Sequence, residues 1–378
     1  MKIGTPREVF EGESRVAMTP GSALQLQKLG FDCVVETGAG SAAGFSDEAY
    51  VAAGVEIAAT AASLWKTADV VAKVRPPNDT EAKRLKKSQT LISFFWPAQN
   101  EQQMGLLAKK GTSVIAMDMV PRISRAQKMD ALSSQANIAG YKAVLMGSAH
   151  MSVYMPLLMT AAGTIRPAKV LILGAGVAGL QAIATAKRLG SQVEAFDVRP
   201  EVKEQVESLG AKFVEVSSES DDGVGEGGYA KETSEDYKHK QQQLIKEHIS
   251  KADMVITTAL IPGRKAPILI GKEVVELMKP GSVIMDLAAE NGGNCEITKQ
   301  DELFTHHGVI IDGTSNFAAT MPVHASELYA KNILALVEHM TKEKSLNFDM
   351  NDEIISGSTF THHGRITHEP TNNIMKES

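Results

Sequence analysis

The sequence contains only two cysteines, Cys33 and Cys295, far apart in the chain. Two thiols exclude a disulfide scaffold and a four-cysteine zinc site, and they fit a reducing compartment. Basic residues are also in deficit: 39 Lys and Arg stand against 45 Asp and Glu, a net charge of −6. That is the wrong sign for a general nucleic-acid binder, which needs cations against phosphates. The N-terminal MKIGTPREVF carries charge by its seventh residue and has no apolar core, so it does not read as a signal peptide. The richest apolar stretch, residues 170–186, is interrupted by three glycines and a glutamine. A membrane helix needs about 20 mostly apolar residues, so no direct membrane span is expected. The ten histidines form no HExxH or comparable ligand pattern, and most are expected to be solvated at the surface, with His306-His307 and His362-His363 in loops. No catalytic metal is expected, and there is neither a GxSxG elbow nor a Walker loop.

What remains is ordinary for a soluble globular protein, with 43% hydrophobic and 22% charged residues. A chain of 378 residues is too long for one core and predicts two domains or three. In its first third, β-type runs at 33–35, 69–72, 91–95 and 113–116 alternate with helical patterns at 23–29 and 100–109. That alternation predicts a parallel sheet covered on both faces. From 126 to about 151 the chain is helix-compatible, broken only by Gly140 and Gly147. A second long amphipathic pattern runs from about 323 to 341, with Leu328, Ile333, Leu336 and Val337 at helical spacing. Two such helices predict a chain that crosses to a second domain and returns, its tail packing on the first domain. The alternative is two surface helices within one sheet.

The central segment, 167–315, is a second α/β series with strands expected at 169–173, 192–196, 211–216, 254–258, 282–286 and 309–311. Residues 217–240 are Gly-rich and acidic with almost nothing to bury, so they predict a mobile loop. It is either a tolerated insertion or a lid, in which Gly227-Gly228-Tyr229 places an aromatic that closes over a ligand. Residues 361–378, with three histidines and no apolar run, are expected to be flexible.

The strand at 170–173 runs directly into Gly174-Ala175-Gly176-Val177-Ala178-Gly179 and then a helix. In that context Gly174 permits the tight turn, Gly176 lets a pyrophosphate approach the backbone, and Gly179 lets helix and strand pack closely. The first helical amides and the helix dipole favour the phosphates. A second strand ends in Asp197, at about the ~20-residue offset of the acid that binds the adenosine ribose. A carboxylate there favours NAD over NADP. Arg199 complicates this choice, and reads as covering the adenine or pairing at the surface.

A conventional dehydrogenase moves a proton as well as a hydride and needs a positioned acid or base. The sequence offers none. Direct hydride passage between two nicotinamides needs only position and electrostatics.

Long stretches at 121–143, 173–190, 200–211, 227–232, 257–267 and 278–296 closely resemble the NAD(H)-binding component of proton-translocating nicotinamide nucleotide transhydrogenase, and the resemblance covers nearly the whole chain. It implies an α/β protein of two Rossmann-like domains with parallel sheets, joined by two long helices, with NAD(H) in the cleft between them. The expected domains are 1–130 plus 325–378, and 131–324. The resemblance further implies a homodimer, cytoplasmic and peripheral on the inner membrane. It docks with an NADP(H)-binding component and a membrane-spanning part that conducts protons. Because this component is fused to membrane helices in some members, those helices are expected here on another polypeptide.

Residue by residue, the resemblance places Arg122, Gln127, Asp130 and Ser133 at the nicotinamide and its ribose, the first three shaping hydride-transfer geometry. On the residues alone these would be a plain helix start, with Asp130 and Ser133 exposed. Gly174, Gly176, Val177, Gly179, Asp197, Val198 and Arg199 match the dinucleotide motif. Tyr229 matches the tip of the mobile loop, Gly228 and Gln241 flank it, and Leu260 follows a strand whose end faces the nucleotide.

The fold is also similar to that of alanine dehydrogenase. The stretch Phe94-Phe95-Trp96-Pro97 lacks that family's acid/base histidine, and Glu290-Asn291-Gly292-Gly293 stands where its catalytic aspartate precedes Gly-Gly. Arg15 and Lys73, which resemble its substrate-anchoring pair, remain. Two rival readings therefore stay open: a free-standing amino-acid dehydrogenase, and a non-enzymatic NAD-binding regulator.

Overall fold

A computed structural model describes residues 1–216, 235–260 and 265–367. In chain order the strands are β1 (Lys2–Thr5), β2 (Asp32–Glu36), β3 (Glu56–Ala58), β4 (Val70–Ala72), β5 (Thr90–Ser93), β6 (Ser113–Ala116), β7 (Leu158–Thr160), β8 (Gly163–Ile165), β9 (Lys169–Leu173) and β10 (Gln192–Phe196). They continue with β11 (Lys212–Phe213), β12 (Met254–Thr257), β13 (Val283–Asp286), β14 (Leu303–His306), β15 (Val309–Asp312), β16 (Thr341–Lys342), β17 (Ser345–Leu346), β18 (Thr359–His362) and β19 (Arg365–Ile366). The chain divides into two compact units, residues 1–135 with 318–378, and residues 136–317. The first crossing falls inside the long helix Ala131–His150.

The first unit carries a sheet in the order β19-β18-β6-β5-β4-β1-β2-β3. β1 to β6 pair in parallel, and β18 and β19 close one edge in antiparallel fashion. Parallel strands covered on both faces require continuous apolar runs. Val70–Ala72 and Ser113–Ala116 are buried at every position. Ile3, Val35, Val70 and Ile92 pack with Leu336 and Val337 of the helix Pro322–Met340, while Leu64, Trp65, Leu91 and Leu107 belong to a separate core cluster. The tail corrects its expectation in part. Phe360 is fully buried and the Thr361 hydroxyl donates to Thr112 O at 2.7 Å, so the chain is ordered sheet to residue 366; residues 368–378 lie outside the described residues.

The second unit has the order β11-β10-β9-β12-β13-β15-β14, parallel except for β14. β9 sits between β10 and β12, where the strand order reverses, and such a reversal opens a crevice at the carboxyl ends of the strands. The half-polar strand Leu303–His306 carries no continuous apolar run and gives no sequence signal. The strand expected at 211–216 pairs only at Lys212–Phe213. The loop expected to reach residue 240 ends earlier, because the helix Glu235–Lys251 takes its last six residues; residues 217–234, with Gly228 and Tyr229, lie outside the described residues. Gly140 and Gly147, expected as interruptions, lie inside the uninterrupted helix Ala131–His150. They are packing notches. A Cβ on Gly140 would stand 2.0 Å from Ala178 O, and one on Gly147 would stand 2.9 Å from Met254.

Candidate nucleotide-binding site

Two of the three fingerprint glycines are demanded by the fold itself. Gly174 has φ of 104° and its missing Cβ would lie 2.6 Å from Thr258 Oγ1, while a Cβ on Gly179 would stand 1.9 Å from Gly174 O. Gly176 is different. It has φ of −76°, open to any residue, and a Cβ there meets nothing within 4 Å among the described residues. That open backbone is compatible with a pyrophosphate laid against it. The helix Val177–Arg188 starts at Gly176 without a side-chain cap, leaving its first amides for an anion.

Asp197, at the end of β10, lies beside this turn. Its carboxylate accepts from Ala175 N at 2.7 Å, from Arg199 N at 2.9 Å, and from Arg199 Nε and Nη2 at 3.0 Å each. Burial works to raise the Asp197 carboxyl, but the Arg199 guanidinium and the two amides outweigh it and hold the group below the usual carboxylate range. Arg199 thus pairs with Asp197 at the surface. Val198 is 76% and Leu260 51% exposed, apolar surface available to an aromatic ligand. Gln241 is half-buried on the helix Glu235–Lys251.

The floor of the crevice rests on two residues that the sequence did not single out. Asn294 accepts from Ala259 N (3.1 Å) and donates to Ala259 O (2.9 Å) and Pro267 O (2.8 Å), holding the chain on both sides of Leu260. Fully buried Asp286 accepts from Asn294 N, Cys295 N, Thr257 Oγ1 and Thr298 Oγ1 at 2.7–3.0 Å. A buried carboxylate is tolerable only with such a set of donors.

Residues 121–133 belong to the first unit. Asp130 and Ser133 are half-buried rather than exposed, because Asp130 caps the helix Ala131–His150: Ser133 N donates to Oδ1 at 2.8 Å and Ser133 Oγ to Oδ2 at 2.5 Å. Arg122 and Gln127 are exposed, and among the described residues their side chains make no hydrogen bond. The segment is nevertheless pinned. Ala126 and Met129 are buried, Asn332 Nδ2 donates to Lys128 O (2.9 Å), and Arg125 pairs with Asp352 (2.7 Å). Asp352 also faces His339 at 3.2 Å. Asn332 and Asp352 hold the loop from about 200 residues away, a relation with no local sequence signal.

Family models give the next observation. Residues 4–139 match the alanine dehydrogenase/PNT N-terminal domain and residues 143–369 the alanine dehydrogenase/PNT C-terminal domain. The chain belongs to this family. It is 56% identical over 374 residues to the NAD(P) transhydrogenase subunit alpha of Cereibacter sphaeroides, covering 98% of this chain and 72% of that one. A solved transhydrogenase from Sinorhizobium meliloti superposes with a TM-score of 0.88 at 44% identity, covering 97% of this chain and 100% of that one. The alanine dehydrogenase of Mycolicibacterium smegmatis is more distant, 29% identical over 98% of this chain and 95% of its own length. Within the alanine dehydrogenase/PNT family the chain is thus nearer the transhydrogenase alpha subunits, and it is an oxidoreductase subunit of that kind.

The first unit holds the two cations, Arg15 and Lys73, that resemble an amino-acid anchor. Arg15 donates to Glu13 and to Gln135 Oε1 (2.9 Å), and Arg75 pairs with Glu13 at 3.0 Å. Lys73 donates to both Glu81 oxygens at 3.0 and 2.9 Å and faces Glu8 at 3.4 Å. All of these side chains are buried. The cations that resemble an amino-acid anchor are therefore matched by carboxylates of the chain itself. Beside them, Phe94 and Trp96 stack at 5.2 Å, and Trp96 holds a left-handed φ of 44° while Asp118 accepts from Phe95 N (2.6 Å) and Trp96 N (3.0 Å). The Phe94–Pro97 stretch contains no group that titrates.

Among the described residues no histidine is buried and most are exposed, as expected, although several have polar partners. His150 pairs with Asp312, His248 with Glu194, His306 with Glu276, His339 with Asp352 and His362 with Ser113. His306 ends β14 and His362 ends β18, each leading into a hairpin turn rather than an open loop.

Proposed function

We propose that this chain binds NADH as a substrate and presents its nicotinamide for reversible direct hydride transfer to NADP+ held by a separate NADP(H)-binding subunit. The observation that carries the reading is the open crevice at Gly176 and Asp197 in a chain whose Phe94–Pro97 stretch offers no acid or base. Hydride exchange between two nicotinamides moves no proton, so the protein must supply binding, orientation and exclusion of water. Gly174, Gly176, Val177 and Gly179 hold the pyrophosphate, Asp197 and Arg199 the adenosine ribose, and Val198 and Leu260 the flat faces. Arg122, Gln127 and Asp130 shape the transfer geometry at the nicotinamide end and, with Ser133, hold the nicotinamide and its ribose, while Asp130 also caps the helix Ala131–His150. Gly228, Tyr229 and Gln241 complete the site in this reading. The domains proposed are 1–130 with 325–378, and 131–324.

Proton translocation belongs to a membrane subunit, coupled through the partner's conformation. In this reading the chain sits at the membrane through its partners, on the cytoplasmic face; no helix among the described residues is long and apolar enough to cross a membrane. A homodimer is part of the same reading. The hairpin β7–β8 exposes Met159 (74%), with Leu157, Tyr154 and Ile165 also exposed, an apolar surface and strand edge that a second copy covers.

The test mixes the purified chain with an NADP-binding transhydrogenase component and follows reduction of an NADP analogue by NADH. Turnover is expected in the mixture, with no NADH formed from L-alanine and NAD+ by the chain alone. Alanine oxidation by the isolated chain would replace this reading with that of an amino-acid dehydrogenase.

A further inference from the structure

We propose that Glu276, His306 and His307 form a binding site for one divalent transition-metal ion of the zinc type, at the end of the second sheet away from the nucleotide crevice. The placement follows from topology. β14 and β15 are joined by a two-residue turn in which His307 (φ 49°) and Gly308 (φ 79°) are both left-handed and His306 pairs with Val309. This is the tight hairpin turn whose twist matches that of its strands. It lies at the start of β15, and Gly308 O accepts from Gly281 N at 2.7 Å, just before β13. The nucleotide crevice opens at the opposite, carboxyl ends of these parallel strands.

The turn presents two adjacent imidazoles to one carboxylate. His306 Nε2 lies 3.0 Å and His307 Nε2 3.7 Å from the same Glu276 Oε1. The ligand atoms of all three residues fall within 4.8 Å of one another, and the two rings stand 4.8 Å apart at 41°. A zinc ion bonds nitrogen and carboxylate oxygen at roughly 2.0–2.2 Å, so neighbouring ligand atoms in a tetrahedral shell sit a little over 3 Å apart. Small rotations of side chains that are partly open to solvent bring the three into that shell, with water completing it. Two imidazole nitrogens and one carboxylate oxygen favour zinc, cobalt, nickel or copper over magnesium or calcium, which prefer all-oxygen shells. Lys272, one helical turn before Glu276, carries a charge that works against a bound cation and makes the affinity modest. Occupation would tie the β14–β15 hairpin to the segment that follows the helix Lys272–Val275.

The experiment titrates the full chain with Zn2+ by calorimetry and equilibrium dialysis, alongside His306→Ala, His307→Ala and Glu276→Gln. The wild type is expected to bind one Zn2+ saturably, and each substitution to weaken that binding at least about tenfold. Zinc-edge absorption should report two imidazole nitrogens and a carboxylate oxygen. NADH binding, read separately, should stay unchanged in all three variants and shows that they are folded. No saturable zinc binding by the wild type, or binding that survives all three substitutions, would overturn the proposal.

Discussion

The two units share one scaffold and put its switch point to opposite uses. Each sheet places its first strand between its second and its fourth in unit order: β1 lies between β2 and β4, and β9 between β10 and β12. In the second unit the chain leaves β9 through the glycine turn proposed to hold the nucleotide. In the first it leaves β1 through Pro6-Arg7-Glu8, and the Glu8 carboxylate returns to Val74 N and Lys73 just past β4. There Glu8, Glu13 and Glu81 meet Arg15, Lys73 and Arg75, and the corresponding space is filled with the chain's own charges. Sheet order alone does not make a ligand site; the few residues at the strand ends decide.

Substitutions at those ends should separate the two uses. Gly179→Ala sets a methyl 1.9 Å from Gly174 O and should destabilise the protein by more than about 4 kcal/mol, read as the loss of cooperative melting. Lys73→Met leaves buried carboxylates unmatched and should cost about 3–5 kcal/mol in urea unfolding while NADH affinity in the surviving folded fraction stays unchanged. Gly176→Ala should do the reverse, with the melting temperature held and NADH binding weakened roughly 10–100-fold, about 1.4–2.7 kcal/mol. If Gly176→Ala lowers stability as much as Gly179→Ala, the contrast between a fold glycine and a ligand glycine is wrong. Gln127→Asn should slow hydride transfer roughly tenfold or more with a smaller change in NADH affinity, since its effect is on position; equal losses in both would remove that role.

The buried ion cluster also sets a pH signature. Burial alone would raise Glu13, but the hydrogen bonds and charge of Arg15, with help from Arg75, overcome it and lower the group from 4.5 to about 2. A depressed folded value means the stabilisation is complete above the unfolded value and lost as pH falls. Stability should therefore drop between about pH 4.5 and pH 2, and Glu13→Gln, already destabilised at neutral pH, should show a shallower loss over that window. Glu8 acts in the opposite sense, because burial raises it despite Lys73, so the Glu13 variant rather than the wild-type slope isolates the effect.

Much of the fold was legible because it is written locally. The strands at 169–173 and 192–196 are uninterrupted apolar or alternating runs, and the glycine turn between strand and helix marks the candidate nucleotide site without reference to the rest of the chain. What was not legible depends on distant partners. Gly140 reads as a helix interruption until Ala178 is found against it. Asp130 and Ser133 read as exposed until the cap joins them. Asn332 and Asp352 show no signal at all, since their role exists only where the chain returns beside residues 125–128. The buried matching of Arg15 and Lys73 was equally invisible, because the pairs Glu8–Lys73 and Glu13–Arg75 join residues more than 60 apart and burial of the nearer pairs Glu13–Arg15 and Glu81–Lys73 depends on the fold around them.

The central claim is that the chain presents NADH to a nicotinamide it does not hold. It is tested most directly by following deuterium from NADH labelled at the transferred position of its nicotinamide ring, in ordinary water with the NADP-binding component present. One deuterium per turnover should appear in NADPH, with none released to solvent. Label lost to water, or label that moves only when an amino acid or its keto acid is added, would contradict the account.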